Sequence, residues 1–138
     1  ELFDLKRIIM PVSFLEEEVE KAQFASAFGR FCGSEVALLQ ANDYGSKAAR
    51  NVERMKELFI KFSFTFSIRE AQKDSFKVDM EAVRWAEKEN YGLVIASASR
   101  EYGLDDIIFG PKEQHMVKKS EKPVLLVNPR GDLYALCD

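Results

Sequence analysis

Arg7-Ile8-Ile9-Met10-Pro11-Val12 is a short apolar run, and Ser13-Phe14-Leu15-Glu16 follows it directly. A run of this kind, without polar alternation, reads as a strand buried on both faces. Ser13 and Glu16 have the S-x-x-E spacing of a capping box, in which the serine oxygen accepts one backbone N–H and the carboxylate reaches back to another. The pair therefore predicts a helix start. A buried strand handed straight to a helix opens a β-α-β unit, which sets the next strand parallel to the first.

The same hand-over recurs down the chain. Val19, Ala22, Phe24, Ala25, Phe28 and Phe31 supply the apolar side of the first helix, and Gly33 ends it. Val36-Ala37-Leu38-Leu39 is the second strand. After the loop Asn42-Asp43-Tyr44-Gly45, Ser46 is placed as an N-cap. Ala48, Val52, Met55, Phe59 and Phe62 then form one stripe of an amphipathic helix. Phe62, Phe64, Phe66 and Ile68 alternate with polar residues, which predicts an edge strand with its phenylalanines toward the core. A third helix is predicted from Phe76 to Asn90, with Trp85 packed against the sheet, and Leu93-Val94-Ile95-Ala96 is the fourth strand. Gly110-Pro111 opens a short fourth helix, and Pro123 to Val127 is the fifth strand.

This order predicts an α/β protein: a Rossmann-like three-layer sandwich with a five-stranded parallel sheet, strand order 3-2-1-4-5, and helices on both faces. Ligands of such sheets sit beyond the carboxyl ends of the strands, at the switch point. The loops to inspect therefore begin at Ser13 and at Ser97.

The 138 residues suit one domain spanning positions 1–138. The start at Glu1 fits a domain excised from a longer chain. With 46% hydrophobic and 31% charged residues, the composition is that of a globular protein and excludes a disordered tail or a coiled-coil rod. A net charge of −3 argues against nucleic acid as a partner. No apolar stretch approaches the ~18 residues of a membrane span, so membrane insertion is not expected. The acidic, mixed N-terminus does not read as a signal peptide. Cys32 and Cys137 lie far apart and read as free thiols of a reducing cytoplasm.

Over nearly its whole length the sequence resembles the universal stress protein family. Lys6-Arg7-Ile8-Ile9-Met10-Pro11-Val12 looks like that family's first strand, and Tyr91-Gly92-Leu93-Val94-Ile95-Ala96 like its fourth. Gly103-Leu104, Ile107-Ile108-Phe109-Gly110 and Val117-Lys118-Lys119-Ser120-Glu121-Lys122-Pro123-Val124-Leu125-Leu126-Val127 follow with family-like spacing. The resemblance implies a cytoplasmic domain. It also implies a homodimer, paired through the edge strand Val124, Leu125, Leu126 and Val127.

Members that bind ATP carry three spaced glycines and then a serine or threonine after the fourth strand. They also place an aspartate after the first. Here the glycine-motif positions fall on Ser97, Arg100, Gly110 and Pro111, and Ser13 stands at the aspartate's position. Glycines let backbone amides close on phosphate. Ser97 and Arg100 put side chains in that path, and Pro111 offers neither a hydroxyl nor an N–H. The loop sets Arg100 alone against Glu101, Asp105 and Asp106, which repels a triphosphate unless Mg²⁺ intervenes.

The expectation is thus a non-catalytic regulatory domain, acting in stress response or within a larger protein, with no cofactor and no metal. Ser13, Ser97, Arg100, Gly110 and Pro111 mark a degenerate nucleotide site. The first alternative is an ATP- or nucleotide-binding module with a rewired phosphate loop, in which Arg100 or Lys112 replaces the lost amides. The second is a slow nucleotide hydrolase drawing on Glu101, Asp105 and Asp106. His115, the sole histidine, reads as a surface residue and Arg130-Gly131-Asp132 as a turn.

Overall fold

The structure is a computed structural model, and it describes residues 5–97, Lys122 and Val124–Val127. Strand β1 (Arg7–Val12) leads into a 3₁₀ helix (Glu16–Glu20) and helix α1 (Lys21–Cys32). Strand β2 (Glu35–Gln40), helix α2 (Lys47–Lys61), strand β3 (Phe66–Glu70), helix α3 (Val78–Glu89), strand β4 (Leu93–Ser97) and strand β5 (Val124–Val127) follow. All pairings are parallel, and the order across the sheet is β3-β2-β1-β4-β5, as the sequence predicts. The predicted fourth helix at Gly110-Pro111 lies outside the described residues.

Strand side chains alternate between two cores. Ile8, Met10 and Val12 of β1, with Val36, Leu38, Leu93 and Ile95, pack on Ala22 and Ala25 of α1 and on Val52, Met55 and Phe59 of α2. Ile9, Ala37, Leu39, Val94 and Ala96 face the other way, onto Val78, Ala82, Val83 and Ala86 of α3. Trp85 packs at the margin of that second core. Two-sided burial is why β1, β2 and β4 read as unbroken apolar runs.

Helix α1 departs from its predicted face. Its buried residues are Lys21, Ala22, Ala25, Ser26 and Gly29, whereas Phe24 and Phe31 are 40% and 80% exposed. The inward stripe is made of small residues, which bring the helix axis close to its neighbours. At Gly29 the space a Cβ would need is taken by the Phe64 ring, whose nearest atom lies 2.9 Å from that position. Phe64 in turn packs on Phe59, with ring centroids 4.7 Å apart.

The β3 region departs as well. The predicted alternation from Phe62 is interrupted, because Phe62 closes α2 as its C-cap and is 41% exposed. Ser63 turns the chain at φ 59°, and the strand begins at Phe66. Phe64 and Phe66 do pack against the core, and β3 does form a sheet edge.

Candidate functional site at the strand ends

Strands β1 and β4 are neighbours whose chains depart in opposite directions across the sheet, to β2 and to β5. Their carboxyl ends therefore form the switch point. What stands there is a buried ion pair. Lys21 is fully buried and Glu18 is 2% exposed, with Lys21 Nζ 2.7 Å from Glu18 Oε1. The 3₁₀ turn and the first residue of α1 place the two side chains one turn apart, on the same side.

Each charge is also hydrogen-bonded. Lys21 Nζ donates to the Pro11 carbonyl of β1 at 2.6 Å. Glu18 Oε2 accepts the Ser13 backbone N–H at 2.7 Å, and Glu18 Oε1 accepts the Ser97 hydroxyl at 2.6 Å. Burial by itself would raise the Glu18 carboxyl. The Lys21 charge and the hydrogen bonds from Lys21, Ser13 and Ser97 outweigh it and hold the group below the ordinary carboxylate range.

Ser13 and Ser97, singled out from opposite ends of the sequence, thus converge on one carboxylate. The capping box does not form as predicted. The Ser13 backbone N–H is taken by the Glu18 carboxylate, and the Ser13 hydroxyl accepts the Leu15 N–H at 3.3 Å. The N-cap position of the 3₁₀ helix is Leu15, which makes no side-chain cap. The reason is electrostatic. Glu18 meets Ser13, Ser97 and Lys21 together, and a buried carboxylate requires that many partners. Arg100, Gly110, Pro111, Glu101, Asp105, Asp106, Lys112 and His115 lie outside the described residues.

A second set of hydrogen bonds ties the remaining loops. Asn51, buried in α2, donates from Nδ2 to the carbonyls of Ser13 and Leu15 at 2.8 and 2.7 Å. The Asp43 carboxylate accepts the Ser75 N–H at 2.9 Å and the Ser75 hydroxyl, whose oxygen accepts the Phe14 N–H at 3.0 Å. Glu81 accepts the backbone N–H groups of Gln72 and Lys73 and the indole N–H of Trp85. The loops after β1, β2 and β3 are therefore fixed to one another by side chains.

Sequence reasoning missed Glu18, Lys21, Asn51 and the Asp43–Ser75 link. One signal was available for Lys21: it falls on the stripe of Ala22, Ala25 and Gly29, the small-residue face that goes inward.

The fold and this site define a class: a doubly wound, all-parallel α/β domain with a polar switch point. No sequence profile of a known family and no curated protein matches the chain. Solved structures do match. The hypothetical protein MJ0577 is 23% identical over 92% of this chain and 98% of its own, with a TM-score of 0.67. A universal stress protein from Archaeoglobus fulgidus is 14% identical over 88% and 93%, with a TM-score of 0.64. A universal stress protein solved in complex with cAMP is 11% identical over 91% and 98%, also at 0.64. The chain has the universal stress protein fold.

Proposed function

We propose that this chain is a universal stress protein family member that acts as a non-catalytic, dimeric regulatory domain and does not hold ATP at its switch point. One observation carries the reading. Ser13 and Ser97, which stand where the family resemblance puts nucleotide contacts, spend their backbone N–H and hydroxyl on the buried Glu18 carboxylate. A ligand there would have to compete with an ion pair that is shut off from water and held by hydrogen bonds to Pro11, Ser13 and Ser97.

The dimer reading rests on β5. Among the described residues it lies at the sheet edge and pairs with β4 alone, and Val124 and Leu125 are half-buried. An apolar strand at a sheet edge favours pairing with a symmetry mate. Light scattering at micromolar protein checks this: twice the chain mass is expected, and a monomer would overturn it. Among the described residues no helix is long and apolar enough to cross a membrane.

The competing reading is a nucleotide module with a rewired phosphate loop. It is favoured by the shared fold of a universal stress protein solved with cAMP. Denaturing freshly purified protein and running the released small molecules on ion-pair chromatography with mass detection separates the two. The regulatory reading expects no nucleotide held at the switch point, and a stoichiometric nucleotide whose retention is lost in a Ser97 variant but kept in an Arg50 variant would overturn it.

A further inference from the structure

Two hollows flank the loop after β1, on the α2 side of the switch point. One, of about 270 Å³, is lined by Phe14, Lys47, Arg50, Asn51 and Arg54. The other, of about 400 Å³, shares Phe14, Lys47 and Arg50 and adds Asp43, Gly45 and Ser46. Among the described side chains three cations thus meet one carboxylate, in a chain whose net charge is −3. That carboxylate, Asp43, already accepts two hydrogen bonds from Ser75.

Lys47 with Arg50, and Arg50 with Arg54, are like charges at helical spacings of three and four, which destabilise a helix. Lys47 and Arg50 stand in the first turn of α2, which holds no acid, and there they also oppose the helix dipole. Among the described side chains neither Lys47 nor Arg54 has a carboxylate within ion-pair distance, and Arg50 donates only to the Ser46 hydroxyl. All three are exposed, so their donors face water.

The wall they surround is rigid. Asn51 is held to the Ser13 and Leu15 carbonyls, and Phe14 is held through its N–H to Ser75. The Phe14 ring meets the exposed Phe76 ring edge-on at 5.8 Å. A half-buried aromatic face beside three converging cations is complementary to a small molecule with an anionic end and an apolar end. Arginine forks match phosphate oxygens in pairs.

We propose that these hollows bind a small phosphate ester. Its phosphate would lie on Arg50, Arg54 and Lys47, and its apolar part on Phe14. The site is separate from the Glu18–Lys21 switch point and does not depend on the reading of that site.

The test uses two probes on the whole chain, inorganic pyrophosphate and phenyl phosphate, followed by amide NMR at low salt. Both are expected to give saturable shifts within Phe14 and residues 47–54, with affinity that falls as salt is added. Arg50→Gln and Arg54→Gln should each weaken both probes at least about tenfold, whereas Lys61→Gln, at the far end of α2, should change neither. Phe14→Leu should weaken phenyl phosphate and spare pyrophosphate. No saturable shift by about 10 mM probe, indifference to both arginines, or indifference of phenyl phosphate to Phe14→Leu would each overturn the proposal.

Discussion

Lys21 Nζ and Glu18 Oε1 lie 2.7 Å apart at the carboxyl end of β1, with both side chains closed to water. Desolvating two charges costs several kcal/mol, and removing one partner leaves the other stranded. Glu18→Gln and Lys21→Met should each cost about 3–5 kcal/mol. The double variant should lose less than the two single losses added, by about 1–3 kcal/mol. Urea unfolding of the four proteins measures this coupling, and strictly additive losses would contradict it.

The same pair sets an acid limit. The Glu18 carboxyl ionises at a lower pH in the folded protein than in the unfolded chain. Below its ordinary pKa of about 4.3 the unfolded state therefore binds the extra proton, and stability rises with pH in that window. Glu18's contribution is complete above that value and is lost as pH falls through the folded value. Stability measured from about pH 6 down to pH 3 should fall less steeply in Glu18→Gln than in the parent. Parallel slopes would show that Glu18 is not the titrating group.

Gly29 is where α1 admits the Phe64 ring. A methyl group there gains helix propensity of about 1 kcal/mol but meets ring atoms at 2.9 and 3.0 Å. The ring is pinned on Phe59, so it cannot swing away cheaply. Gly29→Ala is expected to destabilise by about 1–3 kcal/mol in thermal or urea unfolding. A gain in stability would mean that Phe64 has room to move.

Ser26 gives the opposite sign on the same helix. Its hydroxyl is buried and, among the described residues, has no hydrogen-bond partner. Ser26→Ala removes that unpaired group and adds helix propensity, so a gain of about 1 kcal/mol is expected. A loss of stability would reveal a partner for the hydroxyl.

The strands were legible because β1, β2 and β4 are buried on both sides and leave unbroken apolar runs. Helix α2 was legible because its apolar residues form a single stripe. Helix α1 was misread because large apolar residues draw the eye. Phe24 and Phe31 look outward, and a lysine, a serine and a glycine look inward. At the site, Ser13 and Ser97 could be named from spacing within the family resemblance. Glu18 could not, since its role depends on Ser97, 79 positions away. Long-range pairing of this kind leaves no local pattern.

The proposed function requires that Glu18, Lys21, Ser13 and Ser97 close the switch point to a nucleotide. Amide NMR during a titration with Mg²⁺ and ATP tests it most directly, because it reports position as well as binding. The Ser13 and Ser97 resonances are expected to stay in place up to about 5 mM ATP, with any shifts falling around Lys47, Arg50 and Arg54. Saturable shifts at Ser13 and Ser97 would contradict it and establish a nucleotide site at the end of β1 and β4.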